Sequence, residues 1–145
     1  MTSGVVCVDA NLVVLLLSRG TSALRIRELW NQWLELNCTI VAPTLIYYEL
    51  SNALHRSAVA GQIAPEEADQ VLAEAMNLSI RVYGDAELHQ QAFTLARSLK
   101  LSATYDAHYL ALAQRLECEF WTADKRLFNS VQASLPWIHL VTLSS

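Results

Sequence analysis

Val5-Val6-Cys7-Val8-Asp9-Ala10-Asn11-Leu12-Val13-Val14-Leu15-Leu16-Leu17 is the stretch on which the fold turns. Val5–Val8 is a β-branched run of strand length, and residues 11–18 behind it are apolar nearly all round, the pattern of a helix buried on most sides. One acid, Asp9, stands at the junction. The same alternation recurs along the chain. Residues 39–42 read as a second strand, and Pro43-Thr44 opens a helix that runs to about Ala60, before Gly61. Ile80–Tyr83, Glu119–Thr122 and residues 137–141 read as three further strands. Helical periods separate them. Ile26, Leu29, Trp30, Trp33 and Leu34 fall at i, i+3, i+4, i+7 and i+8, and Pro65 starts a helix with the stripe Ala68, Val71, Leu72 and Ala75. Asp85 caps a helix carrying Leu88, Ala92, Leu95 and Leu99, and residues 106–116 and 124–131 are helical. Strands alternating with helices imply right-handed crossovers and a parallel sheet covered on both faces. The predicted fold is a three-layer α/β/α sandwich with a central, mainly parallel sheet.

The length of 145 residues fits one domain spanning 1–145. Such a domain buries about 68–70% of its unfolded surface and needs no covalent staple. Hydrophobic residues are 53% and charged residues 17%, against about 25% charged in an average domain. That excludes disorder and points to an apolar interior, an apolar association surface, or both. No membrane span is expected: the longest uncharged stretch, residues 127–145, is interrupted by Asn129, Ser130, Gln132, Ser134, Pro136 and His139. The apolar block near the start carries Asp9 and Asn11 and has no basic region before it, so no export signal is read there. Cys7, Cys38 and Cys118 are scattered, with no C-x-x-C pair, which suits buried thiols in a reducing cytoplasm better than a disulfide framework or a zinc site.

In folds of this class, ligands collect at the carboxyl ends of the strands. Asp9 ends the first strand, Asp124 follows the fourth, and Asp106 begins a helix. Each alone has an ordinary reading as a helix-terminal residue. Glu49 differs, because it shares the stripe Ile46, Glu49, Leu50, Ala53 that should face the core. Asp106 likewise shares a face with Tyr109, Leu110 and Ala113. Carboxylates turned inward without a partner cost several kcal/mol or protonate. A divalent cation is the economical partner, since hard oxygen ligands suit Mg²⁺ or Mn²⁺. The formal charge of −4 then changes meaning: with 14 acids and 10 bases, setting these four acids aside leaves the remainder balanced. An acidic total does not exclude a phosphate-backbone substrate at such a site, but it argues against a large basic footprint.

The segments Val8-Asp9-Ala10-Asn11, Tyr48-Glu49-Leu50-Ser51-Asn52-Ala53-Leu54, Thr104-Tyr105-Asp106-Ala107-His108-Tyr109-Leu110-Ala111-Leu112-Ala113 and Thr122-Ala123-Asp124-Lys125-Arg126-Leu127 resemble the PIN-domain family. Within it they look most like the VapC-type ribonuclease toxins of toxin–antitoxin pairs. The resemblance implies that Asp9, Glu49, Asp106 and Asp124 form an acidic active site, with Asp9 and Asp106 foremost as direct metal ligands. It implies hydrolysis of RNA phosphodiesters with Mg²⁺ or Mn²⁺, a homodimer, and a small cognate antitoxin. Asn11 and Thr122 are candidates to orient a carboxylate, although Asn11 departs from the small hydroxyl residue of the family pattern. Lys125 and Arg126 are candidates to hold substrate phosphate. Residues 12–17, Tyr47, Tyr48 and the Trp30/Trp33 helix are candidate contact surfaces, with core burial favoured for the two tryptophans. Two other readings compete. One is a non-catalytic PIN-like module that binds metal or RNA. The other is a receiver-like phosphoacceptor, which would want adjacent acids after the first strand and a late lysine that this chain lacks. The four histidines show no metal spacing, and no Gly-rich phosphate loop, G-x-S-x-G or Cys–His signature occurs.

Overall fold

The computed structural model describes residues 4–18 and 23–142. Its elements run β1 (Val5–Val8), α1 (Ala10–Leu17), α2 (Leu24–Glu35), β2 (Thr39–Pro43), α3 (Leu45–Val59), α4 (Pro65–Met76), β3 (Ile80–Tyr83), α5 (Ala86–Ser98), α6 (Tyr105–Arg115), β4 (Glu119–Thr122), α7 (Lys125–Val131) and β5 (Ile138–Leu140). The strands lie in the order β3-β2-β1-β4-β5 and every ladder is parallel. β1 is central: Cys7 is in register with Val41 of β2 on one side and Phe120 of β4 on the other. The chain first walks outward through β2 and β3, then returns to the far side of β1 for β4 and β5. The reversal puts a topological switch point at the carboxyl ends of β1 and β4, where Asp9 and Asp124 stand.

Successive strand residues face opposite sides of a sheet, and β4 shows which helices lie where. Phe120 packs its ring 5.8 Å from that of Tyr109 on α6, whereas the next residue, Trp121, meets Trp33 of α2 at 5.9 Å. α5 lies on α6; α1 packs with α2, α3 and α4. The two layers explain why Val6, Cys7 and Val8 are all fully buried. A strand covered on both faces reads as a continuous apolar run.

Most expected elements are present within a residue or two, and three details differ. Leu34 is exposed, because the buried arc of α2 is filled by Ile26, Leu29, Trp30 and Trp33. Of the α4 stripe, only Ala75 is fully buried; Ala68, Val71 and Leu72 are half-buried, since α4 rests on α1 and α3 rather than on the sheet. Leu12, Val13 and Leu16 are core residues, so the expected contact surface over residues 12–17 is largely spent inside the molecule. Tyr48, by contrast, is exposed, and Trp30 and Trp33 are buried. No helix among the described residues is long and apolar enough to cross a membrane.

Three helices end alike. Asn37, Lys100 and Glu117 adopt φ of 57°, 58° and 51° behind α2, α5 and α6. In each case the next residue returns its amide to the carbonyl five positions back: Cys38 to Trp33, Leu101 to Ala96, and Cys118 to Ala113, at 2.9, 2.9 and 3.0 Å. These are helix stops of the Schellman type, built here without glycine.

Candidate active site

Asp9 terminates β1 and caps α1, its Oδ1 accepting from the Leu12 amide at 2.9 Å. Its Oδ2 accepts a short hydrogen bond from the Thr122 hydroxyl at the end of β4. Thr122 is fully buried, and its oxygen also accepts from the Asp124 amide at 2.9 Å. Asp124 caps α7 through Oδ1 to the Leu127 amide at 3.1 Å. The capping reading of Asp9 and Asp124 is therefore right, and so is their convergence; one carboxylate does both because caps at strand–helix junctions point across the switch point.

α3 supplies Glu49 and α6 supplies Asp106. Both are half-buried. Glu49 accepts a 2.5 Å hydrogen bond at Oε1 from the Tyr109 hydroxyl, and Tyr109 is itself buried beneath the pocket. Asp106 stands in the first turn of α6, where the helix N-terminus favours negative charge. Asp9, Asn11, Glu49, Asp106, Tyr109 and Asp124 line one pocket of about 60 Å³, and no cation is among the lining residues. None of the four acids makes an ion pair among the described residues.

The electrostatics follow from that crowding. Burial pushes the Asp9 carboxyl up to about 7 against the pull of its Thr122 and Leu12 hydrogen bonds, and the charges of Asp124 and Asp106 push it further. Burial also raises Glu49, opposed by the Tyr109 hydrogen bond and reinforced by Asp106. Asp106 is raised by burial and then by Asp124. The Tyr109 hydroxyl is driven far up by burial and by the Glu49 charge, so it stays a donor. Like charges held together without a counter-charge favour protonation or a cation.

The donor set fits a hard divalent ion: four carboxylates, an amide side chain and no sulfur or imidazole. Among the described residues, however, no three His, Cys, Asp or Glu side chains converge as a finished ligand set. Asp9, Glu49 and Asp124 each already accept a hydrogen bond from a protein donor.

Asn11 lines the pocket but is exposed, and it is not the cap of α1. Lys125 and Arg126 are exposed in the first turn of α7, outside the pocket lining. Tyr109 is the residue that sequence reasoning passed over. Its signal, a tyrosine one turn after Asp106 on the same face, reads equally as core, and it is core as well.

The chain belongs to the PIN-domain family, whose model matches residues 7–137. Among similar proteins, ribonuclease VapC9 of Mycobacterium tuberculosis is 30% identical over 94 residues, which are 65% of this chain and 72% of that protein. Ribonuclease VapC3 of Pyrobaculum aerophilum is 36% identical over 92 residues, covering 61% of this chain and 69% of that one. A VapC ribonuclease of Mycobacterium bovis matches at 30% identity over the same shares as the first.

Proposed function

We propose that this chain is a divalent-metal-dependent endoribonuclease of the VapC type, the toxin of a toxin–antitoxin pair. One observation carries the reading: four carboxylates from separate parts of the chain line a single pocket into which no basic side chain projects, in a chain of the PIN-domain family. Asp9 and Asp106 are the proposed direct ligands of Mg²⁺ or Mn²⁺, with Glu49 and Asp124 completing the set. Such an ion, when bound, polarises the scissile phosphate and makes a water acidic enough to attack phosphorus near neutral pH.

The chain's own residues divide the remaining work. Thr122 and the Leu12 amide hold Asp9 in one orientation, so the ligand is fixed before substrate arrives. Tyr109 occupies Oε1 of Glu49 and leaves Oε2 to accept the proton of the attacking water. The raised proton affinity of Glu49 suits that task. Asn11, at the rim, can donate to a substrate oxygen. Lys125 and Arg126 can hold RNA phosphates beyond the pocket, one as a point charge and one as a fork.

The pocket's uncompensated charge also explains how an antitoxin could silence it. An arginine of a small partner protein reaching the acids would compete with the metal by the same electrostatics. We further propose a homodimer, for which exposed Val59 and Met76 at the ends of α3 and α4 offer apolar surface. Residues 1–145 are read as one domain working in the cytoplasm, where the three free thiols remain reduced.

The test is end-mapping of total RNA incubated with the purified protein and Mn²⁺ or Mg²⁺, with EDTA and Asp106→Asn as controls. Discrete new ends that vanish in both controls are expected. Folded protein that binds Mn²⁺ and makes no ends would favour a non-catalytic PIN-like module. No cleavage and no metal binding would overturn the four-acid reading.

A further inference from the structure

A second pocket, of about 230 Å³, lies beside the acids and is walled by rings: Tyr48, Tyr83, Tyr105, His89 and His108. It shares two helices with the acidic pocket. Tyr48 precedes Glu49 on α3, and Tyr105 precedes Asp106 on α6, so each wall ring is one residue from a carboxylate. Tyr48 is 74% exposed and Tyr105 61% exposed, which is unusual for large aromatic side chains that serve only the core. The volume falls below the roughly 300–1,000 Å³ of sites for drug-sized ligands, so it suits one flat ring rather than a whole nucleotide.

The histidines give this pocket a polar edge of defined sense. His108 Nδ1 lies 2.7 Å from the Thr104 carbonyl, which can only accept, so Nδ1 carries the hydrogen. In the neutral ring, His108 Nε2 is then the acceptor for His89 Nδ1–H, at 2.9 Å. That leaves His89 Nε2 as an acceptor with no protein partner among the described residues. Two histidines 19 residues apart make one directed chain, which their sequence spacing does not reveal.

We propose that this ring pocket is a nucleobase subsite: it takes one unpaired base of a single-stranded RNA whose neighbouring phosphate lies at the four acids. The inference rests on the ribonuclease reading of the acidic pocket and adds to it how the substrate is gripped. A protein of net charge −4, with no basic side chain lining its acidic pocket, has no large basic footprint, so a metal ion and the exposed Lys125 and Arg126 supply only part of the grip on a strand. Stacking on aromatic rings is the alternative source of affinity for single strands, and it works on every base because every base has a π-face. Tyr48 and Tyr105 provide the accessible faces, and His89 Nε2 accepts from an N–H edge of the base.

The experiment uses a single-stranded hexaribonucleotide carrying a central 2-aminopurine, whose fluorescence falls when the base stacks, titrated into the full chain in EDTA so that nothing is cut. Saturable quenching is expected. Tyr48→Leu and Tyr105→Leu should each weaken binding roughly tenfold, the loss of one stacking platform, while Tyr48→Phe and Tyr105→Phe keep it. Circular dichroism checks that the variants fold, as the exposure of both rings leads one to expect. Absence of quenching by folded protein overturns the proposal and leaves the pocket to an apolar side chain of a protein partner. Competition by ribose 5-phosphate as effective as that of unlabelled RNA overturns it too, since the base would then be irrelevant. The companion end-mapping with Mn²⁺ separates the two readings. If wild type and Tyr105→Leu produce the same ends in the same yield, the base subsite fails while the ribonuclease stands. If the probe is quenched but wild type produces no ends, the ribonuclease fails while the base pocket stands.

Discussion

Thr122 is the residue through which two of the four acids are arranged. Its hydroxyl donates to Asp9 and accepts from the Asp124 amide, joining two strand ends with one oxygen. Thr122→Val keeps the shape and removes both bonds. Cleavage by that variant is expected to fall about 10- to 100-fold, the usual effect of losing a hydrogen bond behind a metal ligand, while Thr122→Ser retains most activity. Initial rates on a mapped RNA target decide it; an unchanged rate in Thr122→Val would remove Thr122 from the machinery. Thr122, Asp9 and Asp124 were legible because strand ends announce themselves by composition. Tyr109 was not, because its partner Glu49 is 60 residues away and nothing along the chain reports that approach.

At the scale of elements, beginnings were easier to read than endings. Pro65 at the first position of α4 and Asp85 as the cap of α5 are local signals with a local cause. The ends of α2, α5 and α6 carry no glycine, so the usual stop signal is missing. What stops them is the burial of Cys118 and the partial burial of Cys38 and Leu101 just beyond each left-handed residue. The apolar residue pulls the chain down onto the core, and the residue before it accepts the strained φ. Lys100→Gly and Glu117→Gly should relieve that strain and raise stability by up to about 1 kcal/mol each, a few degrees in Tm. Thermal unfolding of the two variants is the check. A lower Tm in both would mean that the left-handed turns are not strained. Gly84 shows the opposite case: a Cβ there would approach the Thr44 hydroxyl to 2.8 Å, so close packing against that side chain favours glycine.

For the molecule as a whole, the acidic pocket makes stability depend on pH in an unusual sense. Asp9 is held near 7 in the folded chain against an ordinary value of 3.8, and Glu49 and Asp106 are shifted in the same direction. The folded state therefore binds more protons than the unfolded one between those values. Without metal, stability should fall as pH rises from about 4 to about 7, by on the order of 1.4 kcal/mol for each pH unit separating the folded and unfolded values of Asp9. Asp9→Asn should flatten that slope and raise Tm at pH 7 in EDTA. Added Mg²⁺ or Mn²⁺ should restore wild-type stability at pH 7 and release protons, because only ionised carboxylates hold the ion. Denaturant titrations at several pH values, with EDTA and with Mn²⁺, measure all three. A metal-free stability that rises over this window would show that the acids are not desolvated together. The charge count pointed to this cluster, and the parallel topology brings it together; what composition could not supply was that Asp9, Glu49 and Asp124 already accept hydrogen bonds from Thr122, Tyr109 and the Leu127 amide.

The bond between Asp9 and Thr122 joins residues 113 positions apart, across β1 and β4. A chain still emerging from the ribosome has Asp9 long before it has Asp124, because α1 to α6 and three further strands lie between them. Until β4 is made and slotted beside β1, the four acids are not gathered into one pocket. A ribonuclease of the proposed kind, assembled this way, would be inert while that span is being made, with the messenger that encodes it still within reach.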